Sequence, residues 1–244
     1  MANIIELKKV DFSASEGKIL QNVSIEFKEG ITTAIVGPSG GGKSTVLKIS
    51  AGLLVPDKGE VFYKEKKINA MNRNENLDFR CKSAFVFQDS ALWANQNLYQ
   101  ILELPLRIHY PDMNRKERAG RIREVTSEVG YRKNLDIRPS RLSMGEQKLI
   151  AFARAMLCKP ELLFLDEWTE SLDETSADRL VNIVKRKQKN GATIMFVCHD
   201  MRIIKDIADY VVIIADGTVA FHETKEHIVN DPELSNYLRM GMAL

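Results

Sequence analysis

Gly37-Pro38-Ser39-Gly40-Gly41-Gly42-Lys43-Ser44-Thr45 fits G-x-x-x-x-G-K-[ST] at every fixed position. Glycines at this spacing let several backbone N–H groups converge on a polyphosphate, and a helix opening at the lysine adds the positive end of its dipole. Lys43 supplies a point charge to the β- and γ-phosphates, and the Ser44 hydroxyl can ligate Mg²⁺. Four other stretches carry chemistry-bearing residues. Asp166 and Glu167 end the apolar run Leu162-Leu163-Phe164-Leu165; a carboxylate there can hold the Mg²⁺ shell, and its neighbour can polarise water. Gln88 and His199 each follow an apolar run, as a Mg²⁺ ligand or water-orienting amide and as a hydrogen-bond partner of the γ-phosphate. Ser143-Met144-Gly145-Glu146 opens a helical pattern as a capping box, and such a helix N-terminus is also an anion site. The expected ligand is a nucleoside triphosphate with Mg²⁺.

These residues need a rigid frame. Ile31 to Val36 is an apolar run ending at the first glycine of the loop, and Val46, Leu47 and Ile49 open a helical period after it. Before it, alternation in Ile5 and Leu7 and in Val23, Ile25 and Phe27 around the Ser15-Glu16-Gly17 turn predicts a small antiparallel sheet. Ser83 to Phe87 reads as a strand, and Lys64 to Asn76 shows little periodicity. From about residue 90 to 142, Leu98, Ile101, Leu102, Leu106, Ile122, Val125 and Val129 recur at helical spacing, with Pro105 and Pro111 as interruptions. The basic cluster Arg115 to Arg123 has interleaved glutamates and reads as a solvated helix face. Afterwards helices alternate with apolar strands: helix 145–157, strand 162–165, helix 174–188, strand 193–197, helix 202–208, strand 211–214 and strand 219–221. This predicts a mostly parallel sheet covered on both faces. The expected organisation is an α/β P-loop NTPase core at 1–89 and 143–221 with the antiparallel β subdomain at its start. A helical subdomain at about 90–142 and a helical tail at 222–244 complete it.

Composition excludes several classes. A net charge of +2 gives no bulk attraction to nucleic acid, so no nucleic-acid partner is expected. No apolar stretch approaches the roughly 20 residues of a membrane-spanning helix, and the start of the chain lacks the pattern of an export signal. Cys81, Cys158 and Cys198 have no C-x-x-C spacing and read as buried thiols rather than a disulfide or zinc set.

The ordered set of phosphate loop, Gln88, Leu142-Ser143-Met144-Gly145-Glu146, the Asp166-Glu167 strand, Ser171-Leu172-Asp173 and His199 resembles the nucleotide-binding subunit of ABC transporters over essentially the whole chain. The resemblance implies the ABC-type ATPase fold and a head-to-tail dimer with a second copy, ATP lying between one subunit's loop and the other's signature. Ser143, Met144, Gly145 and Glu146 would form that signature, Gln88, Glu167 and His199 would be catalytic, Ser44, Gln88 and Asp166 would hold Mg²⁺, and Asp173 would be the D-loop residue. It also implies a separate membrane permease and a peripheral position on the cytoplasmic face of the inner membrane. Within the family, Phe87-Gln88-Asp89-Ser90-Ala91-Leu92-Trp93 and the segment Asn230-Asp231-Pro232-Glu233-Leu234 with Tyr237-Leu238 are similar to the ATPase of MCE-associated, Mla-type phospholipid transport systems. That likeness implies an MCE-domain partner, with Leu92 and Trp93 as permease contacts or as core residues of the helical subdomain.

Three positions depart from the family pattern. Ala14 stands where an aromatic commonly stacks on adenine, a loss of about 0.5–1.5 kcal/mol that Phe12 could replace. Met144 replaces the first signature glycine, and Trp168 replaces the proline after the catalytic glutamate. Because Lys43, Asp166, Glu167 and His199 are all retained, an active enzyme is expected. The competing readings are a transporter for another substrate, a non-transport ATPase of a cell-division-type complex, and a regulatory module that closes on ATP without turnover.

Overall fold

The computed structural model describes residues 2–15 and 17–231. The strands are β1 (Asn3–Ala14), β2 (Gly17–Lys28), β3 (Thr32–Val36), β4 (Lys58–Tyr63), β5 (Lys66–Lys67), β6 (Ser83–Val86), β7 (Leu162–Asp166), β8 (Thr193–Val197), β9 (Tyr210–Ala215) and β10 (Thr218–Thr224). The helices are α1 (Lys43–Ser50), α2 (Arg73–Lys82), α3 (Leu98–His109), α4 (Arg115–Glu128), α5 (Met144–Met156), α6 (Glu174–Lys189), α7 (Met201–Ile207) and α8 (Lys225–Asn230). An antiparallel sheet runs β2-β1-β4-β5, and a second sheet runs β10-β9-β3-β8-β7-β6, parallel except for the β9-β10 hairpin.

Every residue of β3, β7 and β8 is buried, which is why these strands read as unbroken apolar runs rather than alternating ones. Alternation survives as a choice between two cores. Ala34, Val36, Leu163, Leu165, Ile194 and Phe196 face the core shared with the helices, including Ile150 of α5 and Leu180 of α6. Ile35, Leu162, Phe164, Met195 and Val197 face the core shared with α1 and the antiparallel sheet. The parallel sheet is therefore clamped from both sides, and the carboxyl ends of its strands form one rigid edge.

Several local expectations change. The polar stretch after Lys64 holds α2, whose single buried residue, Phe79, leaves no apolar stripe to read; its start is fixed by the Asn72–Glu75 capping box. Pro105 lies inside α3 without ending it, since the buried face Leu98, Ile101, Leu102 and Leu106 holds the helix across the missing N–H. Residues 222–224, expected in a helical tail, extend β10 through pairs such as His222 with Val212, and α8 begins only at Lys225. The rest of that tail, including Pro232, Glu233, Leu234, Tyr237 and Leu238, lies outside the described residues. On α4, Arg118 pairs with Glu103 of α3 at 3.0 Å and Arg121 with Glu124 at 2.9 Å, so two of the cluster's arginines are held in ion pairs. Cys198 is buried, whereas Cys81 and Cys158 are half-buried and meet around Tyr110, whose hydroxyl accepts from the Cys81 thiol at 3.6 Å. None of the three is in a disulfide. Among the described residues no helix is long and apolar enough to cross a membrane.

Candidate functional site

The strand order β3-β8-β7-β6 places four sequence-predicted groups in a row along one sheet edge. The phosphate loop leaves β3 after Val36, His199 follows β8, Asp166 ends β7 with Glu167 next, and Gln88 follows β6. In-register pairs (Ile35 with Val197, Asp166 with Val197, Val86 with Leu165) keep those ends level.

In the loop, Gly37 (φ 142°), Gly40 (φ 73°) and Gly42 (φ 100°) take backbone conformations that L side chains rarely adopt. A Cβ at Gly37 would lie 1.9 Å from the Ile214 carbonyl oxygen, so the turn passes too close to β9 for any other residue. Gly42 is the N-cap of α1 and carries no side chain to satisfy the helix's first N–H groups, which are left for a ligand. The Lys43 ammonium is buried and held by the carbonyl oxygens of Gly37 at 3.0 Å and Pro38 at 2.8 Å, folded back over its own loop. Gly40, Gly42, Lys43, Ser44 and Thr45 line an open cleft of about 420 Å³ with Ala14, Ser15, Gly17, Lys18 and Ile19. Pro38, Ser39 and Gly41 complete the loop beside it. Phe12, offered as a replacement for an adenine-stacking aromatic, does not line this cleft and packs on the core beneath the antiparallel sheet. Ile19 is the apolar side chain there.

Ser44 Oγ donates to Asp166 Oδ1 at 2.8 Å, bringing two of the expected Mg²⁺ ligands together at the floor of the site. Both are hard oxygen donors, and among the described residues no group of three or more His, Cys, Asp or Glu could hold a metal alone. That fits Mg²⁺, which binds through few protein ligands and completes its shell with phosphate and water. Gln88 instead donates to Glu170 Oε2 at 3.2 Å and lines a neighbouring cavity with Asp166. Burial raises the pKa of Asp166 against the opposing hydrogen bond from Ser44 and the charges of Lys48, Lys148 and Lys43.

Glu167 is 8 % exposed and has φ 42°, a left-handed conformation unusual for a non-glycine residue. Burial, with the Asp166 and Glu170 carboxylates nearby, pushes its pKa up to about 7. His199 Nε2 lies 2.9 Å from Glu167 Oε1, yet that oxygen has no hydrogen-bond partner. Burial and the Lys43 charge lower the His199 pKa, so the ring is neutral at pH 7. An unpartnered carboxylate oxygen, poised near neutrality beside an imidazole, suits a group that takes a proton from water.

The signature residues stand elsewhere. Ser143 caps α5 in the expected capping box, accepting from Glu146 N while Glu146 accepts from Ser143 N at 2.9 Å. The Glu146 carboxylate also pairs with Lys133 at 2.6 Å, and these bonds hold its pKa low. Met144 is 71 % exposed, and a Cβ at Gly145 would lie 3.0 Å from the Ser171 carbonyl oxygen, so a side chain there would require the Ser171 backbone to shift. Asp173 caps α6 through Ser176 N at 2.9 Å. None of Ser143, Met144, Gly145, Glu146 or Asp173 lines the phosphate-loop cleft. The capped N-terminus of α5 thus stands apart from the chain's own phosphate loop. Sequence reading missed Lys148, which is 3 % exposed and turned toward the site's carboxylates, and Glu170, which meets Gln88. For the first, the sequence shows only a lysine immediately before the apolar run that opens at Leu149.

The family model described as ABC transporter matches residues 20–170. An uncharacterised ABC transporter ATP-binding protein of Methanocaldococcus jannaschii is 37 % identical over 82 % of this chain and 88 % of its own length. The intermembrane phospholipid transport system ATP-binding protein MlaF of Haemophilus influenzae is 31 % identical over 95 % of this chain and 88 % of its own. The methionine import ATP-binding protein MetN of Clostridium acetobutylicum is 32 % identical over 94 % of this chain and 71 % of its own. Among solved structures, a dimeric post-hydrolysis ATP-binding cassette bound to ADP and Pi has a TM-score of 0.83 at 31 % identity, covering 90 % of this chain and 98 % of its own.

Proposed function

The chain belongs to the ABC transporter family, and on that premise we propose that it energises a partner permease as a head-to-tail dimer, most specifically for phospholipid transport between bacterial envelope membranes. As a member of that family it is an ATP-binding subunit and an ATPase. The observation that carries the reading is the row of Lys43, Ser44 with Asp166, Glu167 and His199 along one sheet edge.

Each residue has a role in that reading. The loop N–H groups and α1 cradle the phosphates of ATP, and Lys43 exchanges its two loop carbonyls for phosphate oxygens. Ser44 and Asp166 would hold Mg²⁺, whose charge would neutralise that of the bound phosphates. Glu167 takes the proton of the attacking water, and neutral His199 donates to the γ-phosphate. Ser143 and Gly145 of a second copy close the cleft. Trp93, 45 % exposed beyond Gln88 while Leu92 packs on the helical core, is the side chain offered to the permease. The subunit sits peripherally on the cytoplasmic face of the inner membrane.

The phospholipid assignment rests on the likeness of the 87–93 segment and on the MlaF relatives, with an MCE-domain protein as the further partner. Affinity purification of the chain from membranes of its source tests it. Recovery of a permease together with an MCE-domain protein and phospholipid is the expected result; a permease with an amino-acid-binding protein would replace the substrate.

The raised pKa of Glu167 gives a pH prediction. A general base works only when ionised, so kcat/KM for ATP, which reports free-enzyme groups, should rise with pH through about 7 and level off above it. A profile flat between about pH 5.5 and 8 would remove Glu167 from the role.

A further inference from the structure

The loop that follows β6 is held by two cations of α5. The Lys148 ammonium donates to the carbonyl oxygens of Gln88 and, at 3.4 Å, Phe87. The Arg154 guanidinium donates to Ala91 O at 2.7 Å and Ser90 O at 3.1 Å and lies over the Trp93 ring, 5.6 Å from its centroid. Ser90 and Ala91 have φ of 63° and 45°, left-handed backbone that non-glycine residues leave unless other contacts fix it. Four carbonyls of a five-residue segment are therefore turned toward one helix, and the segment's shape is imposed rather than intrinsic. Lys148 also looks onto the carboxylates of Glu170, Asp166, Asp89 and Glu167, and with Gln88, Asp166 and Glu170 it lines a cavity of about 470 Å³.

Resting on the ATPase reading above, we propose that Lys148 is a positioning residue for hydrolysis. Its ammonium fixes the Gln88 backbone to the signature-bearing helix, so that the Gln88 side chain and the end of α5 keep one geometry relative to Asp166 and Glu167. The ammonium does two things at once. It satisfies the Gln88 and Phe87 carbonyls, and its charge, which no neutral donor carries, offsets carboxylates crowded at the strand end. Lys43 lines the phosphate-loop cleft and binds phosphate, whereas Lys148 lines the neighbouring cavity, acts through Gln88 and does not touch the reacting atoms.

The test compares the wild-type chain with Lys148→Met, which keeps the length of the side chain and removes its charge, and with Lys148→Arg. Steady-state hydrolysis of Mg-ATP should show kcat lowered at least about tenfold in Lys148→Met, with KM for ATP within about twofold of wild type. The Mg²⁺ concentration for half-maximal rate should rise, and Lys148→Arg should recover most of the loss. Independently of turnover, peptide-level hydrogen exchange over residues 86–93 should be faster in Lys148→Met and near wild type in Lys148→Arg. Equal exchange in all three proteins would overturn the tether even if no ATP were hydrolysed. Faster exchange with unchanged kcat would overturn the positioning role. A wild-type chain without turnover would overturn the ATPase reading, and the exchange result would still decide on the tether.

Discussion

Glu167→Gln is expected to lower ATP turnover about 10²–10⁴-fold, the loss usual when a positioned general base is removed, while ATP binding persists. Glutamine preserves the shape of the side chain and cannot accept the proton of water. Its neighbours make the substitution structurally mild, because the carboxylate is buried beside Asp166 and Glu170 and its pKa is already raised to about 7. Removing that charge relieves repulsion at the strand end. No native hydrogen bond is lost at Oε1, which has no hydrogen-bond partner, and the nearby His199 ring is left in place. The variant should therefore bind Mg-ATP, fail to discharge it, and accumulate as a dimer on gel filtration, whereas wild type returns to monomer as ATP is consumed. Phosphate release within about threefold of wild type would place the base elsewhere.

Trp168→Ala should cost about 3–5 kcal/mol of stability, the range for emptying a buried aromatic site. Trp168 is 0 % exposed and stacks on Phe152 of α5 with ring centroids 5.8 Å apart. It thus fills the space between the strand end that carries Glu167 and the helix that carries the signature. At about 2–4 °C per kcal/mol for a domain of this size, thermal unfolding should begin roughly 10 °C lower. Trp168→Phe should retain most of the stability, because the indole Nε1 has no hydrogen-bond partner to lose. A melting temperature within about 2 °C of wild type for the alanine variant would show that the site collapses without cost.

What was legible in the sequence follows from physics. The phosphate loop, the strand-end carboxylates and the parallel strands were visible because each depends on residue types at short fixed spacings: glycines where φ is positive, apolar runs where both faces are covered. The Asn72–Glu75 cap of α2 was present in the sequence, but with only Phe79 buried the helix has no periodicity to announce it. Pro105 misled for the converse reason, since burial of Leu102 and Leu106 outweighs the local cost of proline. The left-handed backbone at Glu167, Ser90 and Ala91 could not be read, because no glycine marks it and the enforcing contacts come from residues far along the chain. Lys148 belongs to the same class, a lysine whose meaning depends on the carbonyls that fold against it. The capping-box reading of Ser143 and Glu146 is met, while the pairing of Glu146 with Lys133 is a contact that the motif does not announce.

The central claim is that the cleft is completed by the signature of a second copy, and mixing two inactive variants tests it most directly. Lys43→Ala disables the phosphate loop, and Gly145→Asp disables the exposed end of α5 and crowds Ser171. Each alone should be inactive as a homodimer. Mixed in equal amounts, half of the dimers should pair one of each and contain one intact composite site, so turnover should return to about a quarter of the wild-type rate. A mixture no more active than its components would contradict the account, because clefts working within single subunits cannot complement one another.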